Sequence, residues 1–204
     1  MSILHDIGIK YQTDKAWGHK YMDFYDTFFS PIRYDVKKVI EIGVYFGASI
    51  QTWLEYFPNA TIYGIDCGYR PEVPLHDRFV YITKNALLEE VYSSFVDNDI
   101  DIVIDDGSHL MSEQQEALKL YWSKVKSGGY FVMEDLHTSF CNDGTGRYQF
   151  LDRVPTTYDF LIHNFDSKDI ELNAVRNSFN EKKHLFNRDE TFTISSSITC
   201  LIQK

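Results

Sequence analysis

The side chains best suited to chemistry lie in two short acidic segments. Asp105-Asp106-Gly107-Ser108-His109 follows one apolar run, and Glu134-Asp135 ends another. Carboxylates gathered in one place repel each other unless a cation lies among them, and their hard oxygen atoms suit Mg²⁺, Ca²⁺ or Mn²⁺ better than zinc. His109 is a candidate general base, because an imidazole pKa of about 6.5 suits proton removal near neutral pH. The structural alternative is that the acids cap helices and that His109 makes an ordinary hydrogen bond.

Two earlier acids, Glu41 and Asp66, also end apolar runs. Gly43 follows the first of them, and a glycine there lets the backbone approach a ligand closely. The dinucleotide fingerprint GxGxxG is absent, because Tyr45 stands at the second glycine position. A carboxylate at the position of Asp66 can accept hydrogen bonds from both hydroxyls of a ribose, although on its own it is equally compatible with a solvated strand end.

Short apolar runs that alternate with helical patterns must position these acids. The pattern predicts strands over 38–43, 61–66, 79–83, 100–105 and 130–134, and helices over 19–28, 48–57, 86–95 and 112–124. Ser112 fits the start of a capping box, and Ser127-Gly128-Gly129 is predicted to follow the last of these helices. Residues 158–165 fit a helix or a strand, 166–188 a polar surface excursion, and 191–203 a strand. The alternation predicts a parallel sheet with helices on both faces, and open sheets of this kind bind ligands beyond the strand carboxyl ends.

Composition bounds the class of protein. The chain has 204 residues, the usual size of one domain, and a net charge of −10, which disfavours nucleic acids and anionic membranes as the main partner. No apolar run reaches the ~18 residues of a spanning helix, and the first residues lack the pattern of a signal peptide. The three cysteines, Cys67, Cys141 and Cys200, are far apart and form no CxxC pair, so we expect reduced thiols in a cytoplasmic protein.

Several of these motifs resemble those of class I methyltransferases that use S-adenosylmethionine (SAM). More narrowly, they look like the metal-dependent sugar O-methyltransferases of macrolide biosynthesis, the mycinamicin type. The matching segments, all between about residues 8 and 140, are Tyr11-Gln12-Thr13-Asp14-Lys15, Glu41-Ile42-Gly43-Val44, Tyr63-Gly64-Ile65-Asp66, Asp105-Asp106-Gly107-Ser108-His109, Gly128-Gly129-Tyr130 and Glu134-Asp135-Leu136-His137-Thr138-Ser139. The pair DDGSH and EDLHTS, in that order and separation, is the most specific of them.

The resemblance implies an α/β, Rossmann-like class I methyltransferase fold. Such a fold has a mostly parallel central sheet, helices on both faces and an antiparallel C-terminal strand. The resemblance also implies a single domain over residues 1–204, in which residues 1–35 form a helical segment covering the cofactor site and residues 36–204 form the core.

Site roles follow from the same resemblance. It implies SAM as cofactor, together with Mg²⁺ or another divalent cation. The cofactor-binding residues would be Glu41, Gly43, Asp66, Asn85, Asp105, Tyr11 and Lys15. The metal ligands would be Asp106, Glu134 and Asp135. His109 would be the catalytic base, with Asp106 also counted as catalytic.

The implied reaction is methyl transfer to a hydroxyl of a sugar-like or other vicinal-diol small molecule, such as a sugar or a glycosylated metabolite. A catechol would satisfy the same chemistry. Enzymes of this kind often self-associate, so a homo-oligomer is expected by analogy. Two other classes stay open: a non-catalytic methyltransferase-like binding module, and an NAD-binding enzyme, which the missing GxGxxG disfavours.

Overall fold

The alternating pattern folds into one seven-stranded sheet within the part of the chain that the computed structural model describes, namely residues 1–70, 72–73, 75–139, 155–166, 169–176 and 196–204. The strands are β1 Lys38–Ile42, β2 Thr61–Asp66, β3 Phe79–Thr83, β4 Ile100–Asp105, β5 Val125–Met133, β6 Ile170–Arg176 and β7 Ser196–Gln203. Their order in the sheet is β3-β2-β1-β4-β5-β7-β6. Strands β1 to β5 pair in parallel, whereas β7 is antiparallel to both β5 and β6. This confirms the Rossmann-like fold with an antiparallel C-terminal strand.

The helices cover both faces of the sheet. They are α1 Ile3–Lys10, α2 Asp14–Trp17, α3 Met22–Phe29, α4 Ala48–Tyr56, α5 Glu89–Tyr92, α6 Met111–Trp122 and α7 Thr157–Asn164, with 3₁₀ turns at Ser30–Ile32 and Leu136–Ser139. None of the helices in the described ranges combines the length and apolar character needed to cross a membrane. Because successive strand side chains point to opposite faces, Val39 and Ile102 pack in one apolar cluster and their neighbours Ile40 and Val103 in another.

The N-terminal helices belong to the first of these clusters. Leu4, Tyr21 and Tyr25 are fully buried there together with Trp53 of α4. The rings of Tyr25 and Trp53 lie 6.4 Å apart between centroids. Residues 1–35 therefore pack against the same face of the sheet as α4, close to the strand carboxyl ends.

The sequence interpretation is wrong at four places, of which the first three concern a helix start, a strand and a loop. Ser112 does not cap α6, because the N-cap residue is Leu110 in an extended conformation without a side-chain cap hydrogen bond. Ser127–Gly129 lies inside β5. A Cβ placed on Gly129 would lie only 2.6 Å from the Asp101 carbonyl oxygen, so there is no room for a side chain. The predicted surface excursion contains β6, which completes the sheet edge; the excursion's other residues fall mostly outside the described ranges.

The predicted helix over 86–95 is reduced to the single turn of α5. The Asn85 side chain accepts a hydrogen bond from the Leu87 backbone N–H at 2.8 Å, and Leu88 is extended. An Asx turn of this kind competes with helix formation. It leaves the loop from Lys84 to Leu87 at the carboxyl edge of the sheet, where it lines a cavity. The described cysteines Cys67 and Cys200 are free thiols, and Cys141 lies outside the described residues.

Candidate functional site

The turn after β1 makes a close backbone contact with the turn after β4. Gly43 has φ of +89°, and a Cβ placed there would lie 2.0 Å from the backbone oxygen of Asp106. The pairing of β1 with β4 brings these two turns side by side. Only a glycine allows both this φ and this approach.

The carboxylate of Asp66 ties the turns after β1 and β2 together. One oxygen accepts hydrogen bonds from the backbone N–H groups of Val44 and Tyr45 at 3.0 and 3.2 Å, and the other accepts from Gly68 at 2.8 Å. A carboxylate offers about four acceptor positions. Asp66 is therefore fixed in direction and still has capacity for a ligand donor.

Two cavities open along this edge of the sheet. The first, about 240 Å³, is lined by residues that include Asp66, Asn85, Ala86 and Asp105. The second, about 430 Å³, we call the acidic cavity; its lining includes Lys15, His19, Asp106, His109, Glu134 and Asp135. Gly43, Asp66 and Gly107 line both cavities. A long ligand could therefore extend from one cavity to the other past the β1 turn.

Three side chains of the acidic cavity converge as metal ligands would. One ligand atom each from Asp106, His109 and Asp135 lies within 4.8 Å of the others. The His109 Nε2 and Asp135 Oδ2 atoms are 3.4 Å apart, while Nδ1 of His109 has no hydrogen-bond partner within the described part of the chain. His109 and Asp135 both have a left-handed backbone, with φ of +59° and +56°. Such strain collects at functional sites when the surrounding structure enforces it.

Lys15 supplies a positive charge inside this cluster. Its side chain is buried, and its ammonium Nζ contacts Asp106, lies 2.8 Å from Glu134 Oε2 and 3.7 Å from Glu41 Oε1. Burial lowers the pKa of Lys15, but the three carboxylates outweigh it and raise the pKa well above its usual value. The lysine is therefore held in its charged form.

The buried acids have shifted pKa values. Burial raises the pKa of Glu41 to about 7, against the lowering effect of Lys15. Burial likewise raises the pKa of Asp105 to about 7. It also raises the pKa of Glu134 well above its usual value, with Lys15 again opposing the change. Perturbed carboxyl groups of this kind, gathered at one edge, are typical of functional sites.

The candidate site residues do not all reach the cavities. Asn85 and Asp105 line the first cavity, and Lys15 lines the acidic one. Glu41 is fully buried and accepts a hydrogen bond from the Ser49 hydroxyl at 2.8 Å. Tyr11 points elsewhere: its hydroxyl donates to Glu55 at 2.7 Å.

Glu134 differs from the other two proposed metal ligands. Besides its contact with Lys15, its Oε1 accepts a hydrogen bond from the Tyr25 hydroxyl at 2.9 Å. It is not part of the convergent group formed by Asp106, His109 and Asp135. Both of its oxygens thus already have a donor from the N-terminal segment.

Two further residues of that segment reach the site and escaped the sequence interpretation. The Tyr21 hydroxyl donates to Asp135 Oδ1 at 2.9 Å, and the His19 Nδ1 atom lies 3.8 Å from the same oxygen. The sequence pattern places Tyr21 and Tyr25 only on the predicted helix over 19–28. The available signal was their type, because a buried tyrosine hydroxyl needs a hydrogen-bond partner that a phenylalanine does not.

Two exposed aromatic side chains stand at the mouth of the acidic cavity. Tyr45 is 66% exposed and Phe46 is 45% exposed, and both line the cavity. The guanidinium of Arg70 lies 5.4 Å from each ring centroid. Large apolar side chains exposed beside a cavity commonly mark a binding surface. The sequence motifs do not predict a binding role for these two rings, since only the fold brings them beside the strand-end acids.

Comparisons with known proteins agree with this geometry. A family model described as "Methyltransferase domain" matches residues 40–136. One relative, from Streptomyces olivaceus, is 31% identical over 66% of this chain and 37% of its own length. It is named 8-demethyl-8-(2-methoxy-alpha-L-rhamnosyl)-tetracenomycin-C 3'-O-methyltransferase. The mycinamicin VI 2''-O-methyltransferase of Micromonospora griseorubida is 30% identical over 67% of this chain and 37% of its own. This chain thus spans little more than a third of either relative.

A solved structure of a methyltransferase is also similar to this chain. The MycE methyltransferase from the mycinamycin biosynthetic pathway superposes with a TM-score of 0.68 and 26% identity, over 79% of this chain and 47% of its own. The range matched by the family model runs from β1 to the acids that follow β5, so it contains every strand-end carboxylate discussed above. We conclude that the chain carries a class I methyltransferase domain that resembles those of the mycinamicin-type sugar O-methyltransferases.

Proposed function

We propose that the protein is a SAM-dependent O-methyltransferase that methylates a hydroxyl of a sugar-like or other vicinal-diol small molecule. A divalent cation would assist the reaction, and His109 would be the base. The observation that carries this proposal is the convergence of Asp106, His109 and Asp135 in a cavity that adjoins a second one at Gly43. The relatives support it, because the names of both describe O-methyl transfer and that of the tetracenomycin enzyme describes a rhamnosyl compound as its substrate.

SAM would occupy the first cavity, with its methionine end toward the acidic one. Asp66 would accept hydrogen bonds from the ribose hydroxyls, since its direction is fixed by three backbone donors. Asn85 and Asp105 would border the adenosine, and Gly43 would let the backbone pass close to the cofactor. Glu41 and Lys15 would lie next to the methionine end and supply charge there. Tyr11 would influence the cofactor only indirectly, through the segment that it anchors to Glu55.

The acidic cavity suits a divalent cation such as Mg²⁺. Carboxylate oxygens of Asp106 and Asp135 converge there beside His109, which is kept as the base. Three buried or half-buried carboxylates of this region contact the ammonium of Lys15. Glu134 would complete the ligand set as the resemblance implies. When bound, such a cation supplies positive charge that acidifies an acceptor hydroxyl and fixes its neighbour. MycE supports this reading, because its structure is a complex with Mg and SAH.

His109 would take the proton of the acceptor hydroxyl. The oxygen would then form a bond to the methyl carbon as the bond from that carbon to the SAM sulfur breaks, leaving S-adenosylhomocysteine. Asp135 would orient the imidazole, because its Oδ2 lies 3.4 Å from Nε2 of His109. General base catalysis of this kind contributes about 10²- to 10⁴-fold in rate.

The acceptor would lie at the mouth of the acidic cavity, against Tyr45 and Phe46. Aromatic faces offer apolar area to the C–H face of a sugar or to an aromatic ring. A catechol is the alternative acceptor, since it also presents two adjacent oxygens. The non-catalytic module is the second alternative, and it would bind SAM without turnover.

Calorimetry with SAM, in Mg²⁺ and in EDTA, tests the cofactor site first. Binding under both conditions would support a cofactor site separate from the metal, and no binding under either would refute the proposal. Turnover of a glycosylated macrolide and of a catechol, each with Mg²⁺ and with EDTA, then separates the acceptors. Methylation of neither, despite tight SAM binding, would favour the non-catalytic module.

A further inference from the structure

A lysine occupies the place where the sequence led us to expect only a metal. Lys15 lies on α2, a helix of four residues, and its ammonium reaches carboxylates from three separate strand ends. These are Glu41 in β1, Asp106 after β4 and Glu134 after β5. The cation that the acidic segments require is thus already present in the chain itself.

The backbone that carries Lys15 is held firmly in place. The Lys15 carbonyl accepts a hydrogen bond from the Tyr21 N–H at 2.8 Å. On the other side, Ala16 packs so closely on α1 that a Cβ at Gly8 would lie 2.9 Å from its Cβ. The backbone at Lys15 therefore has a fixed position, and the four-carbon side chain places the ammonium among the carboxylates.

A divalent cation among Asp106, His109 and Asp135 would share a ligand with this ammonium, because Asp106 belongs to both groups. Two positive charges on one carboxylate repel each other strongly where water is largely excluded. A carboxylate that accepts a hydrogen bond from the ammonium also has less negative charge to offer to the metal. The lysine and the metal therefore act against each other at Asp106.

We infer that Lys15 is the resident counter-ion of the acidic cavity: it holds Asp106 and Glu134 in place when no metal is bound, and its charge weakens the binding of a divalent cation there. This inference rests on the proposed function, which is where the divalent cation enters. Lys15 is by this account a positioning residue, acting through the two carboxylates.

The test compares Lys15→Met with wild type and with Lys10→Met. Lys10 also lies in the N-terminal segment and pairs with an acid, Glu55, but at the surface. In EDTA, Lys15→Met should lower the melting temperature by on the order of 10 °C, because it leaves buried carboxylates unpaired. Lys10→Met should change it by no more than about 3 °C.

The second readout is metal binding, measured by calorimetry with MgCl₂ alone. Removal of a like charge within a few ångströms should lower the Mg²⁺ dissociation constant by about tenfold or more. Mg²⁺ should accordingly raise the melting temperature of Lys15→Met by more than that of wild type. Equal or weaker Mg²⁺ binding by Lys15→Met would overturn the inference, since a purely structural lysine loses stability without gaining metal affinity.

A double variant keeps the test decisive if Lys15→Met does not fold. Lys15→Met/Glu134→Gln removes the lysine together with one of its acids, so it should regain part of the lost stability in EDTA. Its Mg²⁺ affinity is then compared with that of Glu134→Gln, and the same increase is expected. Wild-type binding of SAM and Mg²⁺ reports separately on the proposed function: a wild type that responds to Mg²⁺ beside an unchanged Lys15→Met would refute only the inference.

Discussion

Replacement of Gly43 by alanine tests the contact on which the whole site depends. The new Cβ would lie 2.0 Å from the Asp106 carbonyl oxygen and 2.7 Å from its carbon, and the contact with the oxygen is more than an ångström shorter than ordinary contact. Because both neighbours are backbone atoms, the turns after β1 and β4 must move apart. A left-handed alanine costs about 1–2 kcal/mol, and overpacking adds about 1–3 kcal/mol. We therefore expect a loss of about 2–5 kcal/mol.

Gly128→Ala is the matched control. Gly128 also has a positive φ, +77°, but no atom lies within 4 Å of its hypothetical Cβ. Its N–H donates to the carbonyl of Lys204, at the start of β5 and away from the carboxyl edge. Gly128→Ala should therefore lose only the left-handed contribution of about 1–2 kcal/mol.

Circular dichroism melting and SAM calorimetry decide the outcome. For a chain of this size, each kcal/mol lowers the melting temperature by about 2–4 °C. Gly43→Ala should thus melt about 4–20 °C below wild type and bind SAM more weakly, whereas Gly128→Ala should melt at most about 8 °C lower with SAM affinity unchanged. Equal melting temperatures for the two variants, with equal SAM affinity, would refute the proposed close approach.

Three further variants test individual roles. His109→Ala should retain SAM affinity and lose about 10²- to 10⁴-fold in turnover; unchanged turnover would remove its role as base. Asp135→Asn, which tolerates the left-handed backbone, should weaken the Mg²⁺ response measured by calorimetry more than SAM affinity, and the reverse would contradict its assignment. The pKa of Glu41 is about 7 when folded against about 4.3 when unfolded, so its contribution to stability falls as pH rises from about 4 to 7. The free energy of unfolding of Glu41→Gln, measured in urea relative to that of wild type, should therefore rise by up to about 3 kcal/mol between pH 5 and pH 8. A difference between the two proteins that does not change with pH would argue against the raised pKa.

The parallel strands were predictable because they are buried on both faces. Near-continuous apolar runs such as Thr61–Asp66 and Ile100–Asp105 allow no other placement, and the observed bounds match. Elements with weaker patterns were less predictable. The helix expected over 86–95 shrank to one turn because the side chain of Asn85 competes for the backbone, and β6 was hidden in a polar stretch because an edge strand need not be apolar on both faces.

The sequence by itself determined which carboxylates would meet. A parallel sheet places every strand carboxyl end at one edge, so Asp66, Asp106 and Asp135 had to share it. Only the tertiary structure decided which N-terminal side chains contact the acids of this edge. The acidic partners of Lys15, Tyr21 and Tyr25 are 91 to 119 residues away along the chain, apart from the closer pair of Lys15 and Glu41. No local pattern encodes such contacts, because they depend on how the N-terminal helices pack on the sheet and not on the spacing of residues along the chain.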